Sequence, residues 1–369
     1  MAYTDPKKID QILFLLSKHI SGLVQSPINE KVEKEKFFDS SSYNPLFKYS
    51  PPNPKLDHYM EILNDMQADS NTVIGTLLNE KIIEFKKMIR LMQSTGKDSF
   101  TRNSLYLYGK PSDKLIDIAQ KLKFSIDHDV GYKVNTGQMK IQLRRALDKF
   151  GFDWQIKTKD MPAWACVTHK EKALILKKDY SFPQNTIKRL IVHEIGTHIL
   201  RAENGAKQPY KIFTLGLNGY LKTEEGLAVL NEELNHCLCA KTIKSYAGRV
   251  IAVSKALKLS FRDTYDYLEP TFGKEQAWNL TLRAKRGTSN TNWAGAFTKD
   301  YLYLRGYLEV KNYLKVGGDL SKLYVGRIGL EHVDKTQNMP ELINPLFLPG
   351  SKYLASITDK VGDIIEIIR

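Results

Sequence analysis

The sequence predicts a predominantly helical α+β protein with a small antiparallel sheet, and three observations carry that expectation. Apolar residues recur at helical spacing over most of the chain. Short strand-like segments interrupt this texture between residues 154 and 177. Hydrophobic residues make up 42% of the 369 positions and charged residues 26%, the balance of a globular chain rather than a disordered or fibrous one. The length accommodates one large domain or two ordinary ones.

Taken in order, Ile9, Ile12, Leu13, Leu16, Ile20 and Leu23 predict an amphipathic opening helix. Pro27, Pro45, Pro51, Pro52 and Pro54 then break the pattern, but Tyr43, Leu46, Phe47 and Tyr49 predict an extended crossing that is packed down. Residues 56–92 read as two helices with a break near Asp69–Thr72, where Ser70 or Asn71 suits a cap. Pro111 precedes a short helix over 112–122. Residues 131–150 are helical in period, through Met139, Ile141, Leu143, Ala146, Leu147 and Phe150. Strands are expected at 154–157, 165–169 and 172–177, with Lys170-Glu171 turning the last two into a hairpin. Pro183 opens a helix to about Ala202, and Asn204-Gly205 suits its stop. A loop with Pro209 and Gly216 leads to a helix over about 223–240, which Thr223 is placed to cap. Residues 241–315 are mostly helical with a break at 287–295, and the C-terminal stretch mixes short strands with a final helix or strand. The expected division is a helical N-terminal region, 1–100, packing on a region, 101–369, that carries the chemistry.

Three cysteines cannot build a disulfide framework in this chain, and Cys237-Leu-Cys239 lacks CxxC spacing, so inert thiols in a reducing compartment are expected. No apolar run approaches the ~18 residues of a membrane span, and the N-terminal helix lacks a signal-peptide cleavage site. The expectation is a soluble cytoplasmic protein. The formal charge of +14 is unevenly spread. Residues 1–100 carry 13 basic and 13 acidic side chains, against 18 and 10 in 101–200 and 15 and 10 in 201–300.

The informative stretch is His193-Glu194-Ile195-Gly196-Thr197-His198. Two histidines with an adjoining glutamate are the working parts of a zinc hydrolase, in which the imidazoles hold the ion and the glutamate deprotonates its water. The usual spacing is i, i+4. Here it is i, i+5, which on a regular α-helix turns the second ring by roughly 140°. A one-residue π-bulge would return both rings to one face, and Gly196 would permit it. A third ligand is expected from Thr223-Glu224-Glu225-Gly226-Leu227-Ala228, where Glu224 and Glu225 both qualify and Gly226 allows close helix approach. The hairpin ending in 173–177 would supply an edge strand for an extended peptide.

HExxxH followed by (Q/E)EGLA resembles a family of tyrosine carboxypeptidases. Its animal members include the microtubule-associated tyrosine carboxypeptidase, which removes the C-terminal tyrosine of α-tubulin. Its bacterial members are named flavohaemoglobin expression-modulating QEGLA motif proteins. The resemblance extends to Arg201, Asn204-Gly205, Arg283, Arg286-Gly287 and the run from Gly295 through Phe297, Lys299, Asp300, Tyr301 and Tyr303 to Gly306. It implies a zincin-like, gluzincin-type metallopeptidase fold with one Zn²⁺ ion, held by His193, His198 and Glu225, and with Glu194 as catalytic base.

A carboxypeptidase also grips the substrate's terminal carboxylate, for which Arg201, Arg283, Arg286 and Lys299 are the candidates. Tyr220, His236 and Tyr303 are candidate oxyanion donors. Trp164, Trp293, Phe297 and Tyr301 offer either a side-chain pocket or core packing. The basic 101–300 stretch suits an acidic protein or peptide C-terminal tail ending in a tyrosine-like residue. No helix-turn-helix, zinc-finger or RNA-binding aromatic motif stands out, so neither nucleic acid nor membrane is an expected partner. Two other readings share some of these residues: a non-catalytic metal-binding regulator using the basic region on nucleic acid, and a zinc amidohydrolase with a small or cell-wall substrate.

Overall fold

The computed structural model describes residues 4–20, 26–124, 133–161, 163–169, 171–184 and 186–349. Two compact units divide the chain, each assembled from two stretches: Met1–Ile126 with Ala240–Arg305, and Asp127–Cys239 with Gly306–Arg369. This differs from a division at residue 100, because the helices after residue 240 pack back on earlier ones. The helix Ala240–Ala256, for example, lies against Asp113–Leu122.

In the first unit, Thr72 rather than Ser70 or Asn71 caps the helix Val73–Gln93, its hydroxyl accepting from the Gly75 N–H. Ser112 caps Asp113–Leu122 in the same way. Phe37 is fully buried, edge-on to Phe261 and Tyr265 and tilted on Trp278. The Arg262 guanidinium lies 3.5 Å above its ring. The proline-rich crossing is only partly as expected: it contains the helix Glu30–Phe38, and Phe47 is buried while Leu46 is exposed. Leu46 bridges Asn290, and the Phe47 N–H donates to the Ser289 carbonyl at 2.9 Å.

The second unit contains five short strands among the described residues: β1 Lys133–Asn135, β2 Gln155–Lys159, β3 Ala165–Thr168, β4 Ala173–Lys177 and β5 Ser181–Pro183. β1 pairs antiparallel with β5, and the other three form a sheet in the order β2-β4-β3. The expected all-antiparallel sheet is therefore mixed, since β2 runs parallel to β4. The edge strand is also corrected. β4 is central, as its continuous apolar run Ala173-Leu174-Ile175-Leu176 fits. β3 is an edge strand, and it packs on the histidine-bearing helix.

Three further expectations change. Pro183 ends β5, and the helix after it begins at Thr186 rather than at Pro183. The helix after Leu200 runs through Asn204-Gly205 to Lys207. Gly205 serves close packing rather than termination, because a Cβ there would lie 2.4 Å from the Phe213 carbonyl oxygen. Asn204 binds the 346–347 backbone, its Oδ1 accepting from Leu346 and Phe347 and its Nδ2 donating to Phe347. Thr223 lies inside the helix Leu221–Leu234 and accepts from the Leu330 N–H instead of capping. Leu23, His128, the Lys170 turn position and the final C-terminal element lie outside the described residues. No described helix is long and apolar enough to cross a membrane.

Candidate metal centre

The stretch Ile191–Ile199 is a π-helix, continued by α-helix at Thr186–Leu190 and Leu200–Lys207. The widening conditionally expected from the HExxxH spacing is present, over a longer stretch than a single bulge. With i→i+5 bonding, five residues make little more than one turn, so His193 and His198 share a face. Their ring centroids are 5.1 Å apart. Ile195 and Ile199 are fully buried and fix the helix by its apolar side.

Opposite lies the helix Leu221–Leu234, which meets the π-helix along its length. It approaches closely on its other side through glycines: a Cβ on Gly226 would fall 2.1 Å from the Gly306 carbonyl carbon. This is the close contact expected of Gly226. His193, His198 and Glu225 each present one ligand atom, and these atoms lie within 4.8 Å of one another. Two nitrogens and one carboxylate oxygen at that spacing match the donor set of a tetrahedral zinc site with one open position. Glu194, buried, follows His193 on the π-helix.

The neighbouring carboxylates divide the work. Glu224 is not in the converging group and binds His198 Nδ1 at 3.0 Å. Glu232 binds His193 Nδ1 at 2.7 Å. Each is backed by arginine: Arg201 and Arg327 on Glu224, and Arg189 on Glu232 at 2.9 Å. A carboxylate on Nδ1 sets the tautomer that leaves Nε2 unprotonated.

Electrostatics agree with the geometry. Burial alone would raise the Glu224 pKa, but Arg201, Arg327 and His198 outweigh it and hold the carboxyl well below the usual range. Glu232 is likewise lowered despite burial, by His193 and Arg189. Burial would depress His198, yet its bond to Glu224 and the charges of Glu224, Glu225 and Glu194 raise it to about 9. The carboxylates around His198 therefore stabilise positive charge at that position, the kind of charge a divalent cation held there would supply.

Arg201 is fully buried. Its guanidinium donates to Glu224 and to the carbonyls of Leu323, Gly326 and Ile328. These contacts bind it to the interior and set it to hold Glu224, not a substrate carboxylate. Arg283, Arg286 and Lys299 belong to the first unit. There Arg283 pairs with buried Asp300, Arg286 stacks 5.4 Å over Phe297, and Lys299 is buried in a 3₁₀ turn. Tyr220 accepts from Arg327 at 2.7 Å. Tyr303 stacks on Tyr246 in the first unit, and His236 sits in a left-handed conformation (φ 54°) past the end of its helix. Phe297 and Tyr301 are core residues, Trp164 is half-buried under Arg189, and Trp293 is exposed.

The residues that sequence reasoning missed are Glu232, Arg189, Arg327, Asn231 and Tyr324. Glu232 had a readable signal: it lies seven residues after Glu225, two turns along the same helix face. The others had none, because their partners are distant in sequence.

A wide helix bearing two converging imidazoles, faced by a carboxylate from a second helix in a mostly helical α+β chain, defines a protein with a candidate metal-binding constellation beside a buried glutamate. The chain belongs to the family described as microtubule-associated tyrosine carboxypeptidase, which matches residues 35–364. It is 26% identical over 321 residues to the microtubule-associated tyrosine carboxypeptidase 1 of Rattus norvegicus, covering 84% of this chain and 60% of that one. For the Homo sapiens protein of the same name, the identity is 25% over 319 residues, covering 84% and 59%. The chain thus spans about three-fifths of the length of these relatives.

Proposed function

We propose that this chain is a zinc metallopeptidase of zincin-like architecture, acting as a carboxypeptidase on acidic peptide or protein C-terminal tails that end in an aromatic residue. The observation that carries the metal part is the convergence of His193, His198 and Glu225 ligand atoms within 4.8 Å. Family membership supports the carboxypeptidase part, and the basic middle of the sequence supports an acidic substrate.

His193, His198 and Glu225 would hold the ion, Glu232 and Glu224 keeping both imidazoles oriented. Zinc bound there lowers the pKa of a water towards ~7 and polarises the scissile carbonyl. Glu194 takes the proton from the attacking water and passes it to the leaving amine nitrogen. β3, one of the two edge strands of its sheet, is the proposed site for pairing with an extended tail. Arg201 positions Glu224.

Hydrolysis of acidic peptides ending in Tyr or Phe tests the reading. Zinc at one equivalent, loss of turnover on chelation, and a fall in kcat of about 10²–10⁴ in Glu194→Gln are expected. Undiminished turnover without metal, or with Glu194→Gln, overturns it.

A further inference from the structure

The geometry points to Asn231 and Tyr324 as positioning residues that hold the histidine-bearing helix in its wide form, an inference that rests on the metallopeptidase reading above. In an α-helix the Leu200 N–H would bond to the carbonyl four residues back, that of Gly196. Here it reaches the Ile195 and Thr197 oxygens instead. The Gly196 carbonyl accepts from the Tyr324 hydroxyl at 2.9 Å.

Two relays start from the same amide. Asn231 Nδ2 donates to Tyr324 Oη at 2.9 Å, and that hydroxyl donates onward to Gly196. Asn231 Nδ2 also donates to Thr197 Oγ1, whose hydroxyl donates onward to the Val192 carbonyl at 3.2 Å, five residues back. Asn231, Thr197 and Tyr324 are all fully buried, so water does not compete for these groups. The two anchored carbonyls, Val192 and Gly196, bracket His193 and Glu194.

The consequence is positional. If the helix relaxed to α geometry, His198 would turn roughly 140° away from His193 and the three ligand atoms would no longer converge. The relay opposes that relaxation by giving the Gly196 carbonyl a partner outside the helix, Tyr324, and by holding from outside, through Asn231, the Thr197 hydroxyl that caps the Val192 carbonyl. Gly196 itself contributes little space, since a Cβ there would meet nothing closer than 3.7 Å. The wide geometry is therefore a property of the contacts behind the helix more than of the glycine within it.

The test compares Tyr324→Phe with Tyr307→Phe, a second buried phenol of the same unit, whose hydroxyl donates to Glu233 at 2.8 Å and accepts from Lys311 at 3.4 Å. Zinc affinity is read by chelator competition, and amide hydrogen exchange across residues 191–201 is read on metal-free protein. Tyr324→Phe is expected to weaken zinc at least tenfold and to accelerate exchange in that segment, with unchanged circular dichroism. Tyr307→Phe is expected to do neither. Asn231→Leu, which cuts both relays, is expected to exceed Tyr324→Phe in both readouts. Equal zinc affinity and equal exchange in wild type and Tyr324→Phe overturn the inference, as do equal losses in both phenol variants. Wild-type protein that binds no zinc overturns the metallopeptidase reading, and the exchange measurement still decides whether the relay holds the helix.

Discussion

Glu232 Oε1 lies 2.7 Å from His193 Nδ1, and the other oxygen of the same carboxylate receives the Arg189 Nε–H at 2.9 Å. The carboxylate is fully buried and touches the candidate metal centre only through the imidazole. Its expected contribution is therefore orientation and basicity of His193. Glu232→Gln keeps the shape and removes the charge, and zinc affinity should fall by about 10–100-fold. Chelator competition on variant and wild type checks this.

The adjacent glutamates should separate cleanly. Glu225→Gln removes a ligand and should abolish stoichiometric zinc, leaving the metal-free fold intact. Glu224→Gln leaves Arg201 and Arg327 facing an uncharged amide in the interior. That should cost about 3–5 kcal/mol of stability. Metal content and urea unfolding, measured on both variants, check the division. Equal effects on both measurements would contradict it.

Gly226→Ala places a methyl group 2.1 Å from the Gly306 carbonyl carbon, a backbone atom that cannot swing away. A loss of at least about 3 kcal/mol is expected, the upper end of overpacking costs. Gly196→Ala meets nothing closer than 3.7 Å and should be tolerated. Thermal denaturation of the pair checks the contrast.

Asp300 gives a pH-dependent test in the first unit. Burial would raise its pKa, but Arg283, Arg249 and Arg286 hold it far below the ordinary aspartate value. A depressed folded pKa stabilises the fold above the unfolded value of about 3.9 and loses that contribution as pH falls below it. Asp300→Asn should therefore be less stable than wild type at pH 7 by about 3 kcal/mol. The gap should narrow as pH falls from 4 towards 2. Urea unfolding at pH 7, 5 and 3 checks the sign.

Much of the local structure was legible in the chain itself. The apolar spacing of residues 56–92, the helical period that ends at Phe150, and the break after Lys285 follow from side-chain period and capping chemistry, which act within a few residues. The start of the helix to Phe150 was not legible, since β1 occupies Lys133–Asn135. The spacing of His193 and His198 also posed the condition that the structure meets, because a five-residue step brings both rings to one face only on a widened helix.

What tertiary structure alone decided is which groups stand behind those residues. Arg201 reads as a surface cation suited to a substrate, yet its partners are Glu224 and three carbonyls from residues 323–328. Asn231 and Tyr324 carry no signal of their own in the sequence, yet they supply hydrogen bonds to the π-helix. β4 reads as the edge of a hairpin, yet β2 flanks it on the other side. The physical reason is common to all three. Period and capping are set by neighbours along the chain, whereas the partner of a buried charge or hydrogen-bonding group is set by which distant segment closes over it.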